Sequence, residues 1–341
     1  LAALTTGVVT AIVDLDTADD SVTTADIALS AGSADDRLSI TVNGDVDAAF
    51  TATKLDALLS LDGKTSETID ASEVTSVSGT YAKLSALYAA GEAGTISGLG
   101  DEAVTVSSPI LVVEANTVAS KTIGVVTASM SNTNLADYAA LTETDNAYTI
   151  TLNDASVDAS ALRALDAKTT VAITATSMTS LSGSYADVLA VLNSAGVTTS
   201  STADAIALTI TGSISVAEAN TLDGLTEVGV VTATISTSDM ASLAASSGTH
   251  AYSITVTDSS VDAADLNTLA GKTSVDVNAS AVTTLTGGTA DVADFSTAYG
   301  GGSGISGLGN EAITITGSLT AAQANTLAAL TTGVVTAIVD L

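Results

Sequence analysis

Apolar and polar residues alternate along this chain in short runs: LSITV from Leu38, YTITL from Tyr148, ALTIT from Ala207, YSITV from Tyr252 and AITIT from Ala312. Alternation with β-branched residues predicts strands with one buried face. In YSITV, Ile254 and Val256 are expected on one face, and Ser253, Thr255 and Thr257 on the other. Helical signatures lie between the runs. ISVAEANTL from Ile214 and LTAAQANTL from Leu319 carry Ser215 with Glu218 and Thr320 with Gln323, the spacing of a capping box. Gly333 is expected to close the second helix. ADVADFSTAY from Ala290 is expected to be helical and ISGLGNE from Ile305 a turn. Strands recur every 21 to 24 residues (Val231 to Ile254, Ile254 to Val275, Ile313 to Val334), with one longer step from Val275 to Ile313 that holds one large coil or two small ones.

Strand, short helix, strand, without hairpin signals, implies parallel pairing. Apolar faces this narrow need a neighbour to be buried. The expected fold is an α/β solenoid: stacked strand–short helix coils with a long parallel β-sheet. The alternative is a string of tandem β-rich domains of about 105 residues, but no linker marks their joints.

Long-range repetition fits stacking. Leu1 to Leu15 and Leu327 to Leu341 are the same string, LAALTTGVVTAIVDL. The chain is therefore one period of 326 residues and the start of another, as if taken from a longer tandem array. GVVTA recurs at Gly7, Gly124, Gly229 and Gly333, giving divergent copies of about 105 residues. Copy 1 spans 1–117, with extra residues between Asp14 and Phe50; copy 2 spans 118–221, copy 3 spans 222–326, and 327–341 begins the next period.

Composition narrows the function. Aromatics make up 3% of the chain, tryptophan and cysteine are absent, and small residues suit closely stacked coils. The net charge of −30 disfavours nucleic acid and anionic membrane surfaces. No apolar run reaches the roughly 18 residues of a membrane helix. Without cysteine there is neither a disulfide framework nor thiol chemistry. Strong acidity with Thr/Ser/Ala repeats suggests a secreted, extracellular bacterial surface protein. No signal peptide is visible.

The strings VDAADLNTLAGKTSVDVNAS from Val261, ISGLGNEAITITGS from Ile305 and LTTGVVTAIV from Leu4 resemble repeats of giant cell-surface proteins of marine cyanobacteria, one of which is associated with swimming motility. The resemblance covers essentially the whole chain. It implies export, surface display and a structural or motility role, and it brings no catalytic residues.

Candidate chemistry is sparse, and no enzymatic role is expected. His250 is the one histidine, and its setting in SSGTHAYS suggests a turn residue. Gly302, Gly304 and Gly307 spell G-x-G-x-x-G, but ahead of a strand, where a dinucleotide site would need it to open a helix. The candidate metal site is Asp14, Asp16, Asp19 and Asp20 in DLDTADD. Calcium takes six to eight oxygens, which such a cluster could begin to supply. It lacks the glycine and glutamate of a calcium loop. Asp258, Asp262 and Asp265, partly repeated as Asp154 and Asp158, suit helix capping at least as well.

Lys64, Lys168 and Lys272 fall at expected helix C-termini, where a cation complements the dipole; the alternative is lateral contact with acidic loops of a neighbouring rod. Asn116, Asn220 and Asn325 are expected to bond loop backbone. Outward threonines (Thr149, Thr151, Thr209, Thr211, Thr255, Thr257, Thr314 and Thr316) suggest a regular array of the kind that binds ice, or simply good strand formers. The expected function is a structural repeat of a very large secreted surface or filament protein, an acidic rod for display, sheath or filament assembly, adhesion or motility. Its partners are further copies of the repeat in the same chain and laterally associated rods. The alternative is a calcium- or ice-binding module of an adhesin.

Overall fold

The computed structural model describes residues 9–14, 21–42, 49–200, 205–226 and 229–340. It is an α/β fold in which every pair of named strands runs parallel. The chain divides into two units, one mostly of residues up to 154 and the other mostly of residues from 199 onward.

In the first unit, one sheet runs in the order Thr10–Asp14, Arg37–Thr41, Ile69–Asp70, Ile96–Ser97. A second runs Ala49–Phe50, Ser76–Gly79, Ala103–Val106, Val126–Ser129, Ala147–Thr149. Ile173–Thr174 and Val197–Thr198 form a separate pair. Helices Ser21–Ala28, Ala52–Asp62, Tyr81–Ala93 and Val112–Ala119 lie between successive strands, and each packs on the next.

In the second unit, Ser156–Asp158, Ser180–Gly183, Ala207–Ile214, Val231–Ile235 and Ala251–Ser253 form one sheet. Ser260–Asp262, Thr284–Gly288, Ala312–Thr320 and Val335–Asp340 form another, and Val277–Asn278 pairs with Ile305–Ser306. Helices Ala263–Ala270, Val292–Tyr299 and Ala321–Ala328 pack in sequence beside them.

All five alternating runs contain strand, and their inward residues fill the core. Ile254 and Val256 are buried, whereas Ser253, Thr255 and Thr257 are exposed. Register places like residues side by side: Val261, Leu285, Ile313 and Val335 follow one another across one sheet, and Leu181, Leu208 and Val231 across another. Both capping boxes are present, at Ser215 with Glu218 and at Thr320 with Gln323. The long step between Val275 and Ile313 holds two short strands, Val277–Asn278 and Ile305–Ser306, with the longer strand Thr284–Gly288 and the helix Val292–Tyr299 between them; Val277 pairs with Ile305, and Thr284 with Ala312, each 28 residues on.

Gly333 does not close a helix; the preceding helix ends at Ala328 with Ala329 as its cap. The glycine of GVVTA answers a packing demand instead. A Cβ on Gly124 would stand 2.3 Å from the Glu102 carbonyl oxygen, on Gly229 2.1 Å from that of Ile206, and on Gly333 2.3 Å from that of Glu311. In each case the obstacle is the backbone of the adjacent segment, which cannot swing aside. Gly124→Ala is expected to cost about 1–3 kcal/mol through overpacking. Gly63→Ala, at a helix end with φ −74° and an added Cβ in ordinary contact, 3.5 Å from the Ser60 carbonyl oxygen, should be neutral or stabilising by up to about 1 kcal/mol. Urea denaturation of the two variants beside the parent checks the contrast.

Candidate functional site

The side chains that sequence reasoning marked are spent mainly on joining one segment to the next. The ANT asparagines show this first. Asn116 donates through Nδ2 to the Ala140 carbonyl (2.7 Å) and accepts the Thr142 N–H (3.1 Å). Asn220 repeats the pair with the Ala245 carbonyl (2.8 Å) and the Ser247 N–H (2.9 Å). Each amide thus clamps a loop about 25 residues downstream, as expected, although from a half-buried position. Asn267 makes the same kind of bond to the Asp294 carbonyl (2.9 Å) and was not singled out, because LNT breaks the ANT string.

The lysines stand just beyond helix ends, and two of them reach backbone carbonyls of an earlier segment. Lys64 donates through Nζ to the Asp26 carbonyl (2.7 Å) and pairs with its carboxylate. Burial would raise the Asp26 pKa, but hydrogen bonds from Lys64 and Ser60, with the Lys64 charge, hold it below the ordinary range. Lys168 donates to the Thr142 carbonyl (2.6 Å).

The residue that follows the lysine carries more of the structure. Thr65 donates to the Leu38 carbonyl (2.9 Å) and accepts the Leu38 N–H (2.9 Å). Thr169 does the same with Tyr148. Thr122 and Thr273 donate to the carbonyls of Glu102 and Tyr252 (both 2.6 Å), and Thr331, which follows Leu330 instead of a lysine, donates to that of Glu311 (2.7 Å). Most of these hydroxyls also accept an N–H two residues on, as with Gly124, Val275 and Gly333. A small hydroxyl with one donor and two lone pairs satisfies backbone groups of two segments at once.

The third set is chemically mixed and invisible as a motif. The N–H at the second valine of GVV is accepted by a buried side chain from the following segment. Val9 donates to Asp36 Oδ1 (2.8 Å), Val126 to Asn146 Oδ1 (2.8 Å) and Val231 to His250 Nδ1 (3.2 Å). His250 is therefore buried rather than a plain turn residue. Its Nδ1 accepts, so Nε2 carries the hydrogen that faces Asp223 Oδ1 at 2.7 Å, and its ring meets Tyr252 edge-on at 5.3 Å. Burial would raise the Asp223 pKa, but hydrogen bonds from Ser247 and His250, with the positive charge of Lys272, keep it below the usual range.

A buried glutamate–tyrosine pair completes the inventory. Tyr88 donates to Glu102, which is fully buried and accepts the Gly100 N–H through Oε2 (2.7 Å). Tyr299, Glu311 and Gly309 repeat this arrangement. Burial first, then the glutamate, pushes both phenols far above their ordinary pKa. The repeated G-x-E string was the available signal.

For the candidate metal site, Asp14 ends the strand Thr10–Asp14, and Asp16, Asp19 and Asp20 lie outside the described residues. Among the described residues no cluster of three or more His, Asp or Glu side chains could hold a metal ion. Asp154 and Asp258 instead accept the N–H of Leu135 and Met240 (both 2.7 Å), and Asp262 caps its helix through the N–H groups of Ala264 and Asp265. Gly302, Gly304 and Gly307 all take positive φ and form a turn around the strand Ile305–Ser306.

All eight outward threonines are exposed. Their ranks are short: Thr105 and Thr127 lead to Ala147, Thr209 and Thr232 to Ala251, and Thr286, Thr314 and Thr336 begin beside Asp262. One open groove, about 480 Å³, is lined by Lys121, Ile123 and Glu143 among others. Among the described residues no helix is long and apolar enough to cross a membrane.

Thr273→Val would leave the buried Tyr252 carbonyl without its hydroxyl donor, at an expected cost of about 1–3 kcal/mol. Thr257→Val, on the exposed face, should stay within about 0.5 kcal/mol; melting temperatures compare them. Acid should loosen the segment at Asp36, whose carboxylate is held below the ordinary range by the N–H groups of Val9 and Ser33. A depressed folded-state pKa gives stability that is full above the unfolded value of about 3.9 and is lost as pH falls through the folded one. Amide exchange at Val9 should accelerate over that acid range. Asp36→Asn, which can accept as Asn146 does, should flatten the dependence.

No family model matches the chain, and no characterised protein or solved structure matches it either.

Proposed function

We propose that this chain is a structural repeat segment of a very large secreted bacterial surface or filament protein, and that its segments stack as coils of an α/β solenoid. The observation that carries this reading is where the repeated side chains are used. The glycine of GVVTA, the threonine after the lysine and the asparagine of ANT each join one strand–helix segment to a neighbouring one. Repetition preserved for catalysis would gather reactive groups; here it supplies stacking contacts.

Stacking of this kind makes stability a sum of nearest-neighbour terms, so length can grow without a larger core. An acidic surface with a net charge of −30 keeps an extended rod soluble and repels like rods until salt or divalent cations screen it. These properties suit surface display, a sheath or a filament outside the cell.

Electron cryo-microscopy of native material carrying this repeat tests the proposal, in calcium and after chelation. The expected result is a continuous stack with parallel strands about 4.7–4.9 Å apart. Beads joined by flexible necks would overturn it. Collapse on chelation would give the carboxylates a structural metal.

A further inference from the structure

Of the twelve asparagines in this chain, only Asn278 is followed two residues later by serine or threonine. Asn278, Ala279 and Ser280 spell N-x-S with x other than proline, the acceptor signal for N-linked glycans in exported proteins. Asp276, two residues ahead, extends it to D-x-N-x-S, the longer form that bacterial transferases read.

The structure sorts this string by face. Val277 and Ala279 are fully buried, whereas Asp276, Asn278 and Ser280 are exposed. Asn278 ends the short strand Val277–Asn278, and its neighbours across the ladder are Thr255 on one side and Ser306 on the other, both exposed. Small residues on either side leave the amide open to solvent. Asn278 Oδ1 accepts the Ser280 N–H (3.1 Å). Among the described residues, neither Asn278 Nδ2 nor the Ser280 hydroxyl makes a hydrogen bond.

The fold does not demand asparagine at this place. Its counterpart in copy 1 is Asp70, whose Oδ1 accepts the Ser72 N–H (3.0 Å) in the same kind of turn. Its counterpart in copy 2 is Thr174. The turn therefore needs an acceptor oxygen at most, and the NH2 group that separates asparagine from aspartate has no structural task. The hydroxyl two residues on recurs as Ser72 and Thr176, so the amide is what copy 3 adds.

We propose that Asn278 is the acceptor of an N-linked glycan, an inference that rests on the export proposed above. The donor is an oligosaccharide carried on a lipid pyrophosphate. Asn278 Nδ2 forms a bond to the anomeric carbon of the first sugar. The bond from that carbon to the pyrophosphate oxygen breaks, the lipid pyrophosphate leaves with the electron pair, and Nδ2 gives up one proton to a base of the transferase. The folded backbone here is held on both sides: the Asn278 N–H bonds the Ile254 carbonyl (2.9 Å) and the Ala279 N–H that of Ser306 (2.8 Å). Transfer therefore precedes the docking of this turn, while the chain is being exported. After folding, the glycan stands on the exposed face beside Thr255 and Ser306.

The full chain, sent to the periplasm of a bacterial host by an added signal peptide, tests the acceptor. The host supplies an N-oligosaccharyltransferase and an oligosaccharide on undecaprenyl pyrophosphate. Cleavage before aspartate releases residues 276–290, which hold a single asparagine, and electron-transfer fragmentation in a mass spectrometer locates the sugar. The expected result is a glycan on Asn278 in the parent and in Ser280→Thr, and its loss in Asn278→Asp and Ser280→Ala. Asn278→Asp keeps the acceptor that Asp70 uses, so the loss reports on the amide and not on folding. An unmodified parent, or a glycan that persists on this peptide in Asn278→Asp, would overturn the assignment. The same peptide from native material is expected to carry the glycan, and a bare native peptide would overturn it as well. Because the host provides export, failure there counts against Asn278 alone and leaves the structural role standing.

Discussion

The close approach of one strand to the next is the constraint on which the rest of this structure depends. Parallel strands lie about 4.8 Å apart, and a chain that returns to that distance every 19 to 29 residues must bring its connecting turns equally close. At GVVTA the approach leaves no room for a Cβ. The same closeness puts backbone groups of neighbouring turns out of reach of water, so each needs a partner from the chain. The buried threonines, the ANT asparagines and the mixed Asp36, Asn146 and His250 set meet that need. Their repetition follows from geometry.

Two routes satisfy these turns. Threonine and asparagine place a donor and an acceptor on one side chain, so each can bond a carbonyl and an N–H of the facing segment together. The glutamates use a different device. Glu102 and Glu311 are buried acids, and each faces both a loop N–H and a phenol that burial keeps protonated. A buried carboxylate with those donors can look like a catalytic acid. Its partners, a loop N–H and a phenol, hold the loop ahead of a strand.

Much of the α/β pattern was legible because strand alternation and helix capping are local. YSITV announces its buried face from residue type alone, and Ser215 with Glu218 announces a helix start. The two-residue strands were not legible. Val277–Asn278 and Ile305–Ser306 are too short to show a period, so the interval between Val275 and Ile313 could not be divided from sequence. Nor could the role of His250 be found. Asp36, Asn146 and His250 share a function and no chemistry beyond an acceptor atom, and the longer first copy shifts Asp36 out of step. The lysine drew attention in K-T because charge is rare in this chain, yet the neutral residue after it makes the buried bonds.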